Sequence, residues 1–212
     1  MASKLALYIS AGLAVGETRI ASLTEDREYR YVLDSVYDDV LAYCLGQGQW
    51  NFAMRTVRID SDPALTPQFR YSYGFSRPDD WVRTCGLSAS ETLQPPLENY
   101  IDEGGTWFAN VDPIYVQHVS NDVDFGNDLS LWPAAYQRYV ELELAWRLSQ
   151  RPSMSADLRD RLQRDLKLAK QNAMSKDAMD EAAPKYPQPG RLVNSRFGGA
   201  RRFDRIGGRL IG

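Results

Sequence analysis

Apolar residues at the start of the chain are spaced as on one face of an α-helix. They are Leu5, Tyr8, Ile9 and Leu13. Intervals of three and four positions predict a first helix over about residues 2–14. Lys4 and the apolar run behind it also resemble a short signal peptide, but the helical period favours a helix of the folded protein. No run of the sequence reaches the roughly 18 apolar residues that a membrane-spanning helix needs.

A second helix is predicted at the sequence SLTE, residues 22–25, which fits a capping box. In a capping box the serine hydroxyl accepts a hydrogen bond from a backbone N–H group of the first turn, and the glutamate reaches back to another. We therefore expect the helix to begin there and to continue to about Leu45, before Gly46 and Gly48. Its apolar positions are Leu33, Val36, Tyr37, Val40, Tyr43 and Cys44.

The apolar period changes to two in the middle of the chain, which predicts a small antiparallel β unit. The segment FRYSYGF, residues 69–75, is expected to form a strand with its aromatic side chains on one face. Gly104 and Gly105 in IDEGGTWF suit a tight hairpin turn, because glycine accepts positive φ. Three further strands are predicted over residues 54–59, 81–87 and 113–119.

Helical spacing returns after Pro133, a residue that suits the first position of a helix. This helix is expected to bury one face and to end before Pro152, and Ser155 is the predicted N-cap of a last helix. The predicted face of the first of these helices consists of Ala135, Tyr139, Leu142 and Trp146. The predicted face of the last helix consists of Leu158, Leu162, Leu166, Ala169 and Ala173.

The predicted fold class is α+β: a helical bundle from the N- and C-terminal helices, a central small antiparallel β unit and an extended C-terminal tail. The expected segments are residues 1–50 (N-terminal helices), 51–131 (β unit), 132–183 (C-terminal helices) and 184–212 (tail). Trp50 and Phe52 are expected to anchor the core where helix turns into sheet. Further predicted structural anchors are Tyr71, Tyr73, Pro78 and Trp81.

Charge is distributed unevenly along the chain, whose 212 residues carry a formal net charge of -3. Residues 191–212 contain six arginines and one aspartate, so this tail carries +5 and the rest of the chain carries -8. Residues 25–39 alone contain six acidic and two basic side chains. A basic segment on an acidic chain is typical of an interaction tail. The acidic remainder disfavours binding to nucleic-acid phosphates.

The residue types that carry chemistry do not form a recognisable catalytic or metal-binding motif. His118 is the only histidine, and a lone histidine in a predicted strand is more often structural than catalytic. Asp79 and Asp80 follow Pro78, which favours a turn over a site of paired carboxylates. The acidic segment 121–128 lacks the glycine and glutamate spacing of a calcium-binding EF-hand loop. No cofactor is therefore predicted.

Four stretches, taken in order, resemble the head-to-tail adaptor of short-tailed bacteriophages, a family also called tail tubular protein A. They are GLAVGETRIASLTED (12–26), QWNFAMRTVRI (49–59), YSYGFSRPDDWVRTCGL (71–87) and WPAAYQRYVELELAWRLSQ (132–150). In that family a Leu-Gly-Glu-like turn and Ser-Leu precede a long helix, a Trp-x-Phe-Ala segment enters the β unit, and a Tyr…Pro-Asp-Asp stretch follows. The resemblance covers roughly residues 5–175, and Val15 departs from it where many relatives have leucine.

The resemblance implies a structural virion protein that has no active site. Such adaptors form a ring of about twelve subunits between the portal and the tail nozzle, and DNA passes through without specific binding. The implied partners are further copies of the chain, the portal protein and, through the β-unit loops, the nozzle or tail tubular protein B. The implied location is the virion tail beneath the portal, after synthesis in the host cytoplasm, with no membrane contact.

We expect the tail to dock on the portal as a strap, its apolar residues filling pockets and its arginines meeting carboxylates or carbonyls. The predicted docking residues are Arg191, Arg196, Phe197, Arg201, Arg202, Phe203, Arg205, Ile206, Arg209 and Leu210. Two alternatives stay open. One is a nucleic-acid-binding protein that uses the basic tail as an arm. The other is an enzyme that uses Asp79, Asp80 or His118.

Overall fold

Four helices and two small antiparallel sheets form a mixed α+β fold in a computed structural model of the chain, which describes residues 3–67, 69–152 and 154–180. The helices are α1 (Lys4–Ala14), α2 (Glu28–Gly46), α3 (Ala134–Leu148) and α4 (Ala156–Asp180). The strands are β1 (Met54–Ile59), β2 (Tyr73–Ser76), β3 (Trp81–Ser88), β4 (Tyr100–Glu103), β5 (Thr106–Ala109) and β6 (Ile114–Ser120). The predicted docking residues from Arg191 to Leu210 lie outside the described residues.

The first helix is confirmed, but its buried face differs from the predicted one. The backbone N–H group of Ala6 donates to the Ser3 hydroxyl at 3.2 Å, so Ser3 is the N-cap of α1. Of the predicted positions, Tyr8 is fully buried and Leu5 and Ile9 are partly buried against the core, but Leu13 is 57% exposed. Leu7 and Ala11, which were not predicted, are buried. The helix is therefore rotated relative to the face that the apolar spacing indicated.

The predicted start of the second helix is wrong, because α2 begins at Glu28 and not at the SLTE segment. The Glu25 carboxylate does reach back, accepting a hydrogen bond from the backbone N–H group of Ala21 at 2.7 Å. The Ser22 hydroxyl accepts from the backbone N–H group of Thr24 at 3.3 Å. These side-chain bonds close a separate turn, since polar side chains of this kind compete with helix formation for backbone groups.

Helix α3 is buried around most of its circumference because it packs against α1, α2 and α4. The predicted face packs on the core, since Tyr139 and Leu142 are buried and Ala135 and Trp146 are partly buried against the same cluster. It is incomplete, because Leu144 and Leu148 on other sides of the helix are also fully buried. A helix that is apolar on several sides is typical of the interior of a protein. The helices and Val119 of β6 share one hydrophobic cluster.

Helix α4 matches its prediction closely. The backbone N–H group of Leu158 donates to the Ser155 hydroxyl at 3.3 Å, which confirms Ser155 as the cap. Leu162, Ala169 and Ala173 are buried in the helical cluster. The opposite side of α4 faces solvent.

The two sheets have the strand orders β1–β6–β3 and β2–β5–β4, and every pairing is antiparallel. They share a second hydrophobic cluster, formed by Phe75, Leu87, Trp107, Ala109, Ile114 and Val116. Gly104 and Gly105 adopt φ values of +58° and +85° between β4 and β5, which confirms the predicted hairpin turn. The second strand is shorter than predicted, because Arg70 adopts a φ of +65° that interrupts an extended chain.

The predicted structural anchors occupy different environments. Trp50 is buried, and its indole N–H group donates to the Cys44 carbonyl oxygen at 3.0 Å. The Phe52 ring lies 4.7 Å, centroid to centroid, from Tyr136 in the same cluster. Tyr73 is exposed, and this corrects its expected role as an anchor. The remaining predicted anchors, Tyr71, Pro78 and Trp81, are partly buried.

Candidate interaction surfaces and a buried polar network

Asp80 is the centre of a polar network at one end of the β1–β6–β3 sheet. Its Oδ2 atom accepts hydrogen bonds from the Ser120 hydroxyl at 2.5 Å and from Nη1 of Arg55 at 2.8 Å. The Nε2 atom of His118 lies 3.3 Å from the same oxygen. His118 and Ser120 are fully buried, and the Asp80 side chain is 12% exposed.

Strand register brings these four side chains together. Arg55 on β1 is paired with His118 on β6, and Ser120 follows on the same face two residues later. Asp80 ends the turn that precedes β3, where the Trp81 N–H group donates to the Pro78 carbonyl oxygen at 3.1 Å. The predicted turn at Asp79 and Asp80 is thus confirmed. Asp79 is exposed, so only one of the two carboxylates enters the network.

The network keeps its carboxylate charged and its imidazole neutral near pH 7. Burial disfavours the charged Asp80 side chain, but hydrogen bonds from Ser120, Arg55 and His118 outweigh it and lower its pKa to about 2. Burial lowers the pKa of His118 by more than the bond to Asp80 raises it. Nδ1 of His118 has no hydrogen-bond partner among the described residues. A neutral ring with its proton on Nε2 fits this arrangement.

The geometry of the network fits a structural role. In a nucleophilic relay the serine hydroxyl bonds to the histidine that removes its proton. Here the Ser120 hydroxyl donates to the Asp80 carboxylate instead, and the same carboxylate also accepts a hydrogen bond from the Arg55 guanidinium. The network therefore ties the Pro78–Asp80 turn to β1 and β6.

An acidic face lies on the solvent side of α2. Asp34, Asp38 and Asp39 are exposed there, together with the 53% exposed ring of Tyr31. Burial raises the pKa of Asp34, but a hydrogen bond from the Tyr8 hydroxyl and the ion pairs with Lys4 and Arg30 lower it below its ordinary value. Asp38 and Asp39 form no ion pair within the described part of the chain. Their charges are therefore available to a partner.

A basic face lies on the solvent side of α4. Residues 159–176 hold six basic and two acidic side chains, a net charge of +4. The exposed basic residues of this segment are Arg161, Arg164, Lys167 and Lys176. None of these four is in an ion pair with another described residue. Leu168 lies among them and is 58% exposed, beside a groove of about 610 Å³ between α3 and α4.

An apolar patch lies on the β2–β5–β4 sheet and the loop before it. A pocket of about 410 Å³ is lined there by Phe69, Ile101 and Phe108, with Arg70 and Glu103 at its polar side. The Phe69 side chain is 81% exposed, and Ile101 belongs to the edge strand β4. Exposed apolar groups beside an edge strand are a common contact for partner proteins.

The acidic segment between β6 and α3 uses its carboxylates in local turns. The backbone N–H group of Asp124 donates to the Asp122 carboxylate at 3.0 Å, and that of Ser130 donates to the Asp128 carboxylate at 2.8 Å. In residues 3–180, apart from 68 and 153, no three His, Cys, Asp or Glu side chains are grouped so that they could hold a metal ion. The three pockets described for the protein lie away from Asp80 and His118.

Two features were not predicted from the sequence. One is the participation of Arg55 and Ser120 in the Asp80 network, and the other is the basic face of α4. The two network residues needed the strand register, which the sequence alone did not supply. The basic face had a visible signal, because the residues between the predicted leucine and alanine positions of α4 are rich in arginine and lysine.

Comparison with known proteins provides no assignment of family. No model of a known protein family matches the chain, and no curated protein matches it. No helix among the described residues is long and apolar enough to cross a membrane.

Proposed function

We propose that this chain is the head-to-tail adaptor of a short-tailed bacteriophage. In this proposal, about twelve copies form a ring between the portal and the tail nozzle, and the ring is a passive conduit for DNA. The tail at residues 184–212 docks on the portal, and the loops of the β unit contact the nozzle.

The observation that carries the proposal is the shared cluster of helices from the two ends of the chain. Helix α3 packs against α1 and α2, which precede the β region, and against α4, which follows it. This arrangement supports a helical bundle with an inserted β unit, as the adaptor resemblance implies. A bundle gives each subunit a rigid body with exposed helix faces for its neighbours.

Charge and surface chemistry provide further support. Residues 1–190 carry -8, and a negative conduit lets DNA move because it avoids phosphate contacts. The apolar patch around Phe69 and Ile101 is a suitable contact for a nozzle protein.

Portal binding tests the proposal. The full-length chain and a version that ends at Tyr186 are each mixed with purified rings of the portal protein from the same genome, and bound protein is measured by sedimentation. We expect the full-length chain to bind and the shortened chain to lose most of its binding. If both bind equally, the adaptor proposal stands and the strap is wrong; if neither binds, the adaptor proposal is wrong.

Single substitutions test whether individual residues of the tail contribute to portal binding. Phe203→Ala and Arg202→Ala should each weaken portal binding, because an apolar anchor or a guanidinium contact is lost. The melting temperature should stay at the wild-type value. A lower melting temperature would mean that these residues stabilise the fold, and the strap assignment would fail for them.

A nucleic-acid-binding protein is the second candidate, and the basic face of α4 is the observation that favours it. The sequence of residues 191–212 adds a second positively charged segment, and a basic segment attracts the phosphates of a nucleic acid. This candidate predicts oligonucleotide binding that falls steeply with salt and is lost when residues 187–212 are deleted. Retention of DNA at moderate salt, without portal binding, would favour it over the adaptor.

A further inference from the structure

We propose that the basic face of α4 docks on the acidic face of α2 in a second copy of this chain. This inference rests on the proposed ring and identifies the lateral contact between its neighbouring subunits. In the proposed ring this contact is head-to-tail: each subunit offers α4 to one neighbour and α2 to the other, and such a contact forms a ring when its rotation closes.

The basic face is a continuous stripe. Arg161, Arg164, Leu168 and Asn172 follow one another at intervals of three and four residues, so they lie on one side of α4. All four are exposed. From Arg161 to Lys176 the stripe is about 22 Å long at the rise of an α-helix. It therefore offers several turns of helix to a partner, with an apolar residue near its middle.

The acidic face has a matching arrangement. Tyr31, Asp34 and Asp38 are exposed at intervals of three and four residues along α2, and Asp39 is beside them. The next exposed position on this side is Ala42, whose small side chain permits close approach. Tyr31 is the apolar counterpart of Leu168, so each face combines charge with one exposed apolar side chain.

Charge selects this pairing over the symmetric ones. Two copies of α4 in contact would bring together faces on which four exposed basic side chains outnumber the two exposed acidic ones, Asp160 and Asp165, and two copies of α2 would bring their aspartates together. Both symmetric contacts are repulsive, whereas α4 against α2 is attractive. Individual exposed ion pairs are weak, but in a closed ring every subunit makes the contact twice and the effects combine.

Charge reversal with mixing provides the test. One variant carries Asp38→Lys and Asp39→Lys, and the other carries Arg161→Glu and Arg164→Glu. The control carries Glu98→Lys and Asp124→Lys, two exposed acids outside both faces. Ring formation on purified portal rings is measured by electron microscopy as a function of protein concentration. Melting temperatures establish that every variant folds.

Each reversed variant alone should need about tenfold or more protein for half-maximal ring formation, because like charges then meet at every contact. An equimolar mixture of the two should recover ring formation. In that mixture the native α4 of one variant meets the native α2 of the other, and the two reversed faces also attract. The chain carrying all four substitutions should form rings by itself for the same reason, and the control should match wild type.

The outcomes separate this inference from the ring proposal. If the wild-type chain forms rings and the reversed variants assemble equally well, the α4–α2 contact is overturned and the adaptor proposal stands. Loss of assembly in both variants without rescue by mixing would also overturn it, because the two faces would not be partners. Failure of the wild-type chain to form rings would overturn the adaptor proposal and the lateral contact together.

Discussion

At the scale of single residues, Asp80 determines how the turn before β3 is fixed to the sheet. Three side chains from β1 and β6 approach one of its carboxylate oxygens. A buried carboxylate is costly unless it receives hydrogen bonds, and removing one partner leaves the others unsatisfied. The network therefore acts as a unit.

Replacing Asp80 by Asn should lower the free energy of unfolding at pH 7 by about 2 kcal/mol, in line with its lowered pKa. The folded-state pKa of about 2 is below the ordinary value of 3.8, so the charged side chain stabilises the fold fully above about pH 4. This contribution is lost as the pH falls towards 2. Urea denaturation at pH 7 and at lower pH measures the difference between variant and wild type.

Asp79→Asn is the matched control, since it makes the same chemical change at the exposed neighbouring position. It should change the free energy of unfolding by no more than about 0.5 kcal/mol. Equal effects of the two substitutions would contradict the role given to Asp80.

Gly126 should not tolerate a side chain. A Cβ atom there would overlap the backbone carbonyl oxygen of Ser120 and press on Leu45, so Gly126→Ala should cost about 1–3 kcal/mol. Gly86→Ala is the control, because a Cβ atom at Gly86 meets no atom within 4 Å. Thermal unfolding compares the two variants. Equal melting temperatures would show that the Gly126 segment moves aside without cost.

At the scale of elements, the sequence predicts best where one side of an element is buried. Helix α4 has this property, and its leucine and alanine spacing identified the buried side. Helix α3 contacts three other helices, so a single apolar face could not describe it. The start of α2 and the extent of β2 were missed because a local turn at Ser22 and a left-handed backbone at Arg70 override the pattern.

The cap of α4 gives a prediction at this scale. Ser155→Ala removes the hydroxyl that accepts from the Leu158 backbone N–H group, and it should cost about 1 kcal/mol of stability. Ser175→Ala makes the same change at an exposed position inside α4, where alanine is the better helix former. Chemical denaturation should show a loss for the first variant and none for the second. A loss of equal size in both would argue against the cap.

At the scale of the whole molecule, charge is the property that the sequence reveals most directly. The acidic segment at residues 25–39 is visible without a structure, and α2 then presents Asp38 and Asp39 to solvent. The positive charge of α4 indicates a binding face only once the structure shows which side of the helix is exposed. The Asp80 network could not be predicted, because it depends on the pairing of β1 and β6 across more than fifty residues of sequence.

The most direct test of the adaptor is the appearance of the chain on portal rings. Purified full-length protein is added to portal rings from the same genome, and the complexes are imaged by electron microscopy with rotational averaging. The proposal predicts a closed collar of about twelve subunits on one side of the portal, on its axis. Portal rings without a collar at saturating protein, or copies bound singly without rotational order, would contradict it.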